Sequence, residues 1–430
     1  MNKFLIATCL VASLSTQAFS QANIYPAKPQ DKKIVLLGGT VHVGNGQVIS
    51  NGYVTFEKGK ITGVGDATTV KFSNTDATIH NLNGKHVYPG FIAPNTNLGL
   101  SEFESVKATL DFREIGQYNP HIRSIIAYNT DSKVPPTLRS NGVLMALIVP
   151  QGGVISGSST AVQLDAWNWE DAAVKTDLGI HVNWPVTPRF RGAMGGGAAG
   201  GNNNTANAIS ELERFFIEAK SYNEVPQAVT NARFAGMKKL FDGTAKLFMH
   251  VNLQKDIVAA VNFAKRFNIT PVIVGGSEAS YVASFLKEQN VPVIINQPHS
   301  LPTSVDQDVN FPYKNASILN KAGVMVAISI DGYWEQRNLP FMAGTASTWG
   351  MSKEDALKTI TSNTAKIIGI DNIAGSIEVG KDATLFISGG DALDMITNSI
   401  EKAFIQGRDI DLDNLHKQLD KRFSQKYGIK

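Results

Sequence analysis

The sequence predicts an α/β chain whose middle is a (β/α)8 TIM-type barrel and whose two ends are rich in short strands. Three observations predict it. The 430 residues are 43% hydrophobic and 18% charged, a globular balance with room for one domain of roughly 250 residues and a smaller one. Between residues 89 and 371, strand-like runs alternate with helical ones, the pattern of a barrel built from βα units. Outside that stretch, short alternating apolar runs are broken by glycine turns rather than by helices.

The first twenty residues have the form of a secretory signal: Lys3 as the basic start, Phe4 to Leu14 as the apolar run, and Ala18-Phe19-Ser20 as a small-residue cleavage step. Cleavage after Ala22 is the alternative. The apolar run is short of the about 20 residues that span a bilayer, so the expectation is a secreted chain, most simply periplasmic, with no membrane anchor. Cys9, the one cysteine, lies in that signal, which leaves the rest without disulfide or thiol chemistry. Forty basic residues stand against 37 acidic ones, a formal charge of +3 with no basic block. Nucleic acid is not an implied partner.

Residues 34–65 read as strands. Ile34 to Leu37 lead into Gly38-Gly39, Val41 and Val43 alternate with polar neighbours, Val54 and Phe56 follow, and Lys58-Gly59-Lys60 turns the chain toward Ile61 and Val64. This sheet is too short to bury a core alone. Residues 373–387 and 402–408 have the same character and are its expected completion. Barrel strands are expected to begin at Phe91, Val143, Ala161, Ile180, Leu247, Pro271, Val291 and Val324. Ile257, Val261 and Ala264, and then Val282, Phe285 and Leu286, recur at helical spacing after the fifth and sixth. Ser156 to Ser159 reads as a turn between strands.

Residues 191–204 are rich in Gly and Asn. They fit a lid or an anion-binding backbone nest less well than a flexible insertion, because the strand-GxGxxG-helix context is absent. A helix with Thr205 as its N-cap follows, with Ile209, Leu212 and Phe216 on one face. Residues 411–430 read as a final amphipathic helix with Leu412, Leu415, Leu419 and Phe423 on one face, acids early and bases late. Docking on its own barrel is the simpler use of that face, a partner interface the other.

Val87 to Leu100 reads VYPGFIAPNTNLGL. It resembles the first barrel strand of the amidohydrolase superfamily, PG(F/L)IDxHxH, whose two histidines bind a catalytic metal. The C-terminal IAGSIEVGKDATLFI is similar to that superfamily's GxIxxGxxADLvv ending, with Thr384 where Asp is usual. The resemblance covers nearly all of the chain after the signal. It implies a small β-sandwich formed from residues 23–88 with 372–410, a barrel over 89–371, and a separate helix over 411–430. Its activity would be hydrolysis of C–N bonds, other than peptide bonds, in a small molecule.

Here the frame is kept and the ligands are changed. Ala93 stands for the Asp, and Asn95 and Asn97 stand for the two His. If Asn95 and Asn97 lie on one strand, their carboxamides project to the same side. His250, in Met249-His250-Val251-Asn252, matches the ligand His of the fifth strand, but Gly275 takes the ligand position of the sixth, where relatives read HGxEA. Asp331 matches the aspartate that handles the proton of the attacking water. Its plain reading is a turn or cap before Gly332, and that of His250 a satisfied strand-end histidine. His181 on the fourth strand could face the barrel mouth, and Asn252 completes the binding candidates.

Structural zinc sites are worth about 10–16 kcal/mol over four ligands, on the order of 3 each. Losing three imidazoles to two amides and a glycine would leave a zinc site unfilled, so no metal or other cofactor is expected. Without one, general-base help from Asp331 or His250 is worth about 10²- to 10⁴-fold. Two readings follow. One is a small-molecule amidohydrolase. The other is a non-catalytic pseudoenzyme with a degenerate metal site, acting as partner subunit of an intact amidohydrolase paralogue, as a homo-oligomer, or as a small-ligand binder.

Overall fold

The computed structural model describes residues 25–73, 76–186, 201–226 and 228–429, the side chains of 201–204 excepted. Residues 1–24, where the signal sequence was expected, and the Gly-rich residues 191–200 lie outside the described residues. No described helix is long and apolar enough to cross a membrane.

Two eight-stranded sheets carry the architecture. The first draws on both ends of the chain. Strands β1 (Lys33–His42), β2 (Val48–Glu57), β3 (Lys60–Asp66), β4 (Ala77–Asn81) and β5 (His86–Pro89) come from the beginning. The others come from the end of the chain and follow the barrel. The barrel sheet takes β6 (Phe91–Thr96), β7 (Val143–Ile148), β8 (Ile155–Gln163), β9 (Ala173–Asn183), β10 (Lys246–Val251), β11 (Val272–Gly275), β12 (Val293–Asn296) and β13 (Val326–Ser329), in chain order. Then β14 (Leu385–Ser388), β15 (Ile400–Ile405) and β16 (Arg408–Ile410) complete the first sheet. Its two halves join where β5 pairs antiparallel with β14, Tyr88 opposite Phe386.

The eight expected strands fall on β6–β13, but Ala161 and Ile180 lie near the ends of β8 and β9 rather than at their starts, and one direction needs correction. β8 runs antiparallel to both β7 and β9, so the barrel is not built wholly of βα units. The connections explain it: residues 149–154 and 164–172 are shorter than the dozen or more residues that a parallel crossover needs. Gly152 and Gly153, both at positive φ, make the tight turn. The Ser156–Ser159 stretch is therefore not a turn but the first half of β8. Its small side chains are buried between two neighbouring strands.

One buried cluster takes a residue from every barrel strand, among them Ile92, Met145, Phe248, Val274, Ile294 and Ala327. That is the barrel interior. The alternate residues, such as Ile180, Met249, Ile273 and Ile328, pack outward with the surrounding helices. The barrel is nearly closed. Between β13 and β6, Ile328 N donates to Thr359 O (3.1 Å) and Ile92 N to Ile360 O (2.9 Å), so residues 359–360 bridge the remaining gap.

Ile257, Val261 and Ala264 are buried on helix Gln254–Arg266 as their spacing requires. Thr205 is not an N-cap: the helix runs Gly201–Glu224, and the Thr205 hydroxyl donates to Val186 O (3.1 Å) from inside it. The final helix is Leu415–Tyr427, capped by Asn414, with Asp411 and Asp413 lying ahead of its first turn. Only its start docks, through Asn414 Nδ2 to Ser140 Oγ (3.1 Å); Phe423 and Tyr427 are exposed. On the first sheet, His42 is held between Glu354 of helix Lys353–Lys358 (2.7 Å) and His86 (3.0 Å).

Candidate active site at the barrel mouth

The C-terminal ends of β6, β9, β10, β12 and β13 bring two groups of polar side chains to the mouth. The first group is a chain of amides ending on a carboxylate. Asn95 Nδ2 approaches Asn296 Oδ1 at 3.5 Å, and Asn296 Nδ2 donates to Asp331 Oδ1 at 2.7 Å. Solvent reaches Asp331, yet the surrounding walls push its carboxyl above the ordinary range by desolvation. Gln336, fully buried, braces the ends of these strands by donating through Nε2 to Ile330 O, Gly332 O and Asn95 O.

The second group is a histidine pair. His181 Nδ1 and His250 Nε2 lie 2.9 Å apart, and His181 stacks on Phe248 with ring centroids 4.6 Å apart. Burial lowers both, His250 to about 4 and His181 well below its ordinary value, with the neighbouring imidazole a further cause for His181. Both rings are therefore neutral at ordinary pH. His181 Nε2 is buried without a partner. A bare acceptor is more easily tolerated there than an orphaned N–H, which favours His181 donating from Nδ1 and leaves the His250 proton on its own Nδ1. No acceptor among the described residues is hydrogen-bonded to that N–H.

Asn97 does not join Asn95. A register irregularity separates Ala93 from Thr96, and Thr96 Oγ1 donates to Gly332 O (2.8 Å) while accepting from Leu98 N (3.1 Å). The chain turns there, and Asn97, buried, donates to Ser101 Oγ at 2.9 Å instead. Asn252 lies exposed on the rim, its Oδ1 accepting from Ser277 N (3.4 Å). Gly275 has φ +101°, and a Cβ added to it would lie 2.6 Å from Asn252 Oδ1. Asn296 was not a candidate from the sequence. Its signal was its place at the end of the seventh strand, the first polar residue after Val293-Ile294-Ile295.

The donors at the mouth do not suit zinc. Among the described residues no three His, Cys, Asp or Glu side chains are grouped to hold an ion, and the undescribed residues contribute only Cys9 to such a set. The two imidazoles face each other, and the amide oxygens of Asn95 and Asn296 are weak ligands for zinc.

The Amidohydrolase family sequence model matches residues 237–408, which hold β10 to β15. Imidazolonepropionase of Flavobacterium psychrophilum is 26% identical over 176 residues, 34% of this chain; the match spans 43% of that enzyme's length. An amidohydrolase from Thermotoga maritima superposes with a TM-score of 0.75 over 88% of this chain and 99% of its own, at 23% identity. A zinc-bound adenosine deaminase from Xanthomonas campestris gives a TM-score of 0.54 over 94% of this chain and 99% of its own, at 14% identity. Molinate hydrolase gives 0.55 over 89% and 95%, at 15% identity. The structural likenesses speak to fold.

Proposed function

We propose that the chain is a member of the amidohydrolase superfamily, a reading supported by the family model over residues 237–408 and by the imidazolonepropionase likeness, and that its mouth binds a small C–N-bonded molecule, a cyclic or linear amide, without zinc-dependent hydrolysis. One observation carries this reading: the two imidazoles at the mouth are bonded to each other, while amides stand around Asp331. His250 Nδ1–H is a donor suited to an amide carbonyl, and Asp331 an acceptor suited to an amide N–H. On this reading Asn95, Asn252 and His181 shape the binding site and Asn97 braces its wall.

The test is protein purified from its own compartment without chelators. Elemental analysis is expected to find no stoichiometric transition metal, and calorimetric titration with a panel of cyclic and linear amides to find binding that His250→Ala weakens at least tenfold. About one metal per chain, removed by chelator together with turnover, would sink the proposal.

A second reading is favoured by the raised carboxyl of Asp331: hydrolysis with Asp331 as general base and no metal. Turnover of any of these amides that vanishes in Asp331→Asn would establish it. We infer also that the first sheet folds over as the small β-sandwich, since Val54, Phe56, Ile61, Val87, Leu385 and Phe404 from five of its strands share one core.

Secretion to the periplasm and association with an intact amidohydrolase paralogue complete the proposal. Phe103, Ile115, Leu301 and Val305 stand exposed on loops that leave the mouth end of β6 and β12 and offer an apolar rim for such a partner. Native co-purification with a relative bearing the HxH pair supports it; a monomer alone counts against it.

A further inference from the structure

On the flank of the barrel, a cavity of about 320 Å³ opens between the start of the described chain, helix Val134–Arg139, the loop after β8 and the first turn of the final helix. That volume is within the range of small-molecule sites. Its floor is charged and buried. Arg139 is 3% exposed and Asp165 2%. Arg139 Nη1 donates to Asp165 Oδ1, while Asp165 Oδ2 accepts from Arg408 Nη1 at 2.8 Å and from Ala27 N at 2.9 Å. Two guanidinium groups thus share one buried carboxylate, with Asp411 acting on Arg139 only through space.

Arg139 Nε has no hydrogen-bond partner and is buried. A buried donor left unmade is costly, and this one belongs to a group that lines the cavity. Trp167 and Tyr25 line the cavity too, 62% and 65% exposed, their ring centroids 5.9 Å apart. Lys133 and Leu415 are also in the wall. Nothing at the mouth accounts for these features.

We propose that this cavity is a second small-molecule site, taking a monoanionic organic acid whose carboxylate meets Arg139 and whose flat apolar part lies against Trp167 and Tyr25. A guanidinium matches the planar carboxylate in shape and charge. Arg139, Arg408 and Lys133 stand against Asp165 and Asp131, with Asp411 felt by Arg139 only through space, so the site suits one carboxylate and disfavours a polyanion such as phosphate. The aromatic pair supplies apolar area with little side-chain entropy to lose.

The test is calorimetric titration of the purified protein with benzoate and with benzamide, its neutral analogue of the same shape. Benzoate is expected to saturate one site per chain at least tenfold more tightly than benzamide. Trp167→Ala, at an exposed position, is expected to weaken benzoate at least fivefold while leaving the unfolding midpoint unchanged. Lys133→Gln is expected to weaken benzoate and not benzamide. Absence of saturable binding, equal binding of the two probes, or indifference to Trp167→Ala overturns the proposal. Loss of benzoate binding in His250→Ala overturns it too, since the ligand would then lie in the mouth.

Discussion

His181 and His250 face each other through single nitrogens 2.9 Å apart, on adjacent strands whose register sets Phe248 beside His181 and His250 beside Asn183. The pair is thus a diagonal contact on the inner face of the barrel. Each imidazole takes up one nitrogen of the other, while His181 Nε2 stays buried without a partner.

That arrangement sets a pH dependence. The folded His250 titrates at about 4 against 6.5 when unfolded, so between those values the unfolded chain binds more protons and stability rises with pH. The contribution is complete above about pH 6.5 and is lost progressively toward pH 4, roughly 3 kcal/mol for His250. His181 adds in the same direction. Urea unfolding across pH 4 to 7 is expected to show the rise, flattened in His250→Ala. Asp331, raised by desolvation, acts oppositely, its stabilising share falling as pH climbs through its folded value.

Gly275→His is expected not to rebuild a metal site. The backbone at φ +101° is one that residues with a Cβ rarely adopt, and the new atom would strike Asn252 Oδ1. Strain of this kind costs about 1–3 kcal/mol. Gly275→Ala should cost as much as Gly275→His by thermal unfolding, and zinc titration should show no gain in affinity for either variant.

Asp331→Asn separates chemistry from scaffold. Asn296 Nδ2 can donate to an amide oxygen as it does to the carboxylate, so the unfolding free energy from urea titration is expected to change by less than about 1 kcal/mol. Any metal-free turnover should fall by about 10²- to 10⁴-fold. Turnover unchanged in the variant would exclude Asp331 as the base.

Asp165→Asn attacks the floor of the flank cavity. The carboxylate is bonded to Arg139 and Arg408, both largely removed from water. Removing one partner of a buried ionic group typically costs about 3–5 kcal/mol. Chemical denaturation is expected to show a loss of that size, larger than for Lys60→Gln, whose partner ion pair with Asp382 leaves the lysine half exposed.

The barrel was legible because period and length are local: Val143 to Ile148 and Val326 to Ser329 can be read as buried strands without knowing their neighbours. The places of His250 and Asp331 at the ends of such runs were legible for the same reason, while their candidacy came from the resemblance to the superfamily's motifs. What the sequence hid was pairing. The reversal of β8 rests on a six-residue connection, and its Ser-Gly-Ser-Ser start has a turn's composition. The His181–His250 contact depends on register between β9 and β10, and the separation of Asn97 from Asn95 on one irregularity and a threonine turn. None of these leaves a periodic trace.

The pairing of β5 with β14 has a consequence during synthesis. His86 to Pro89 leaves the ribosome nearly three hundred residues before Leu385 to Ser388 can cover its edge. Until then the strand offers bare N–H and C=O groups beside an apolar face, the usual template for joining a foreign strand. The barrel must therefore assemble beside an unfinished sheet, and a chain cut short before residue 385 keeps that edge open for good.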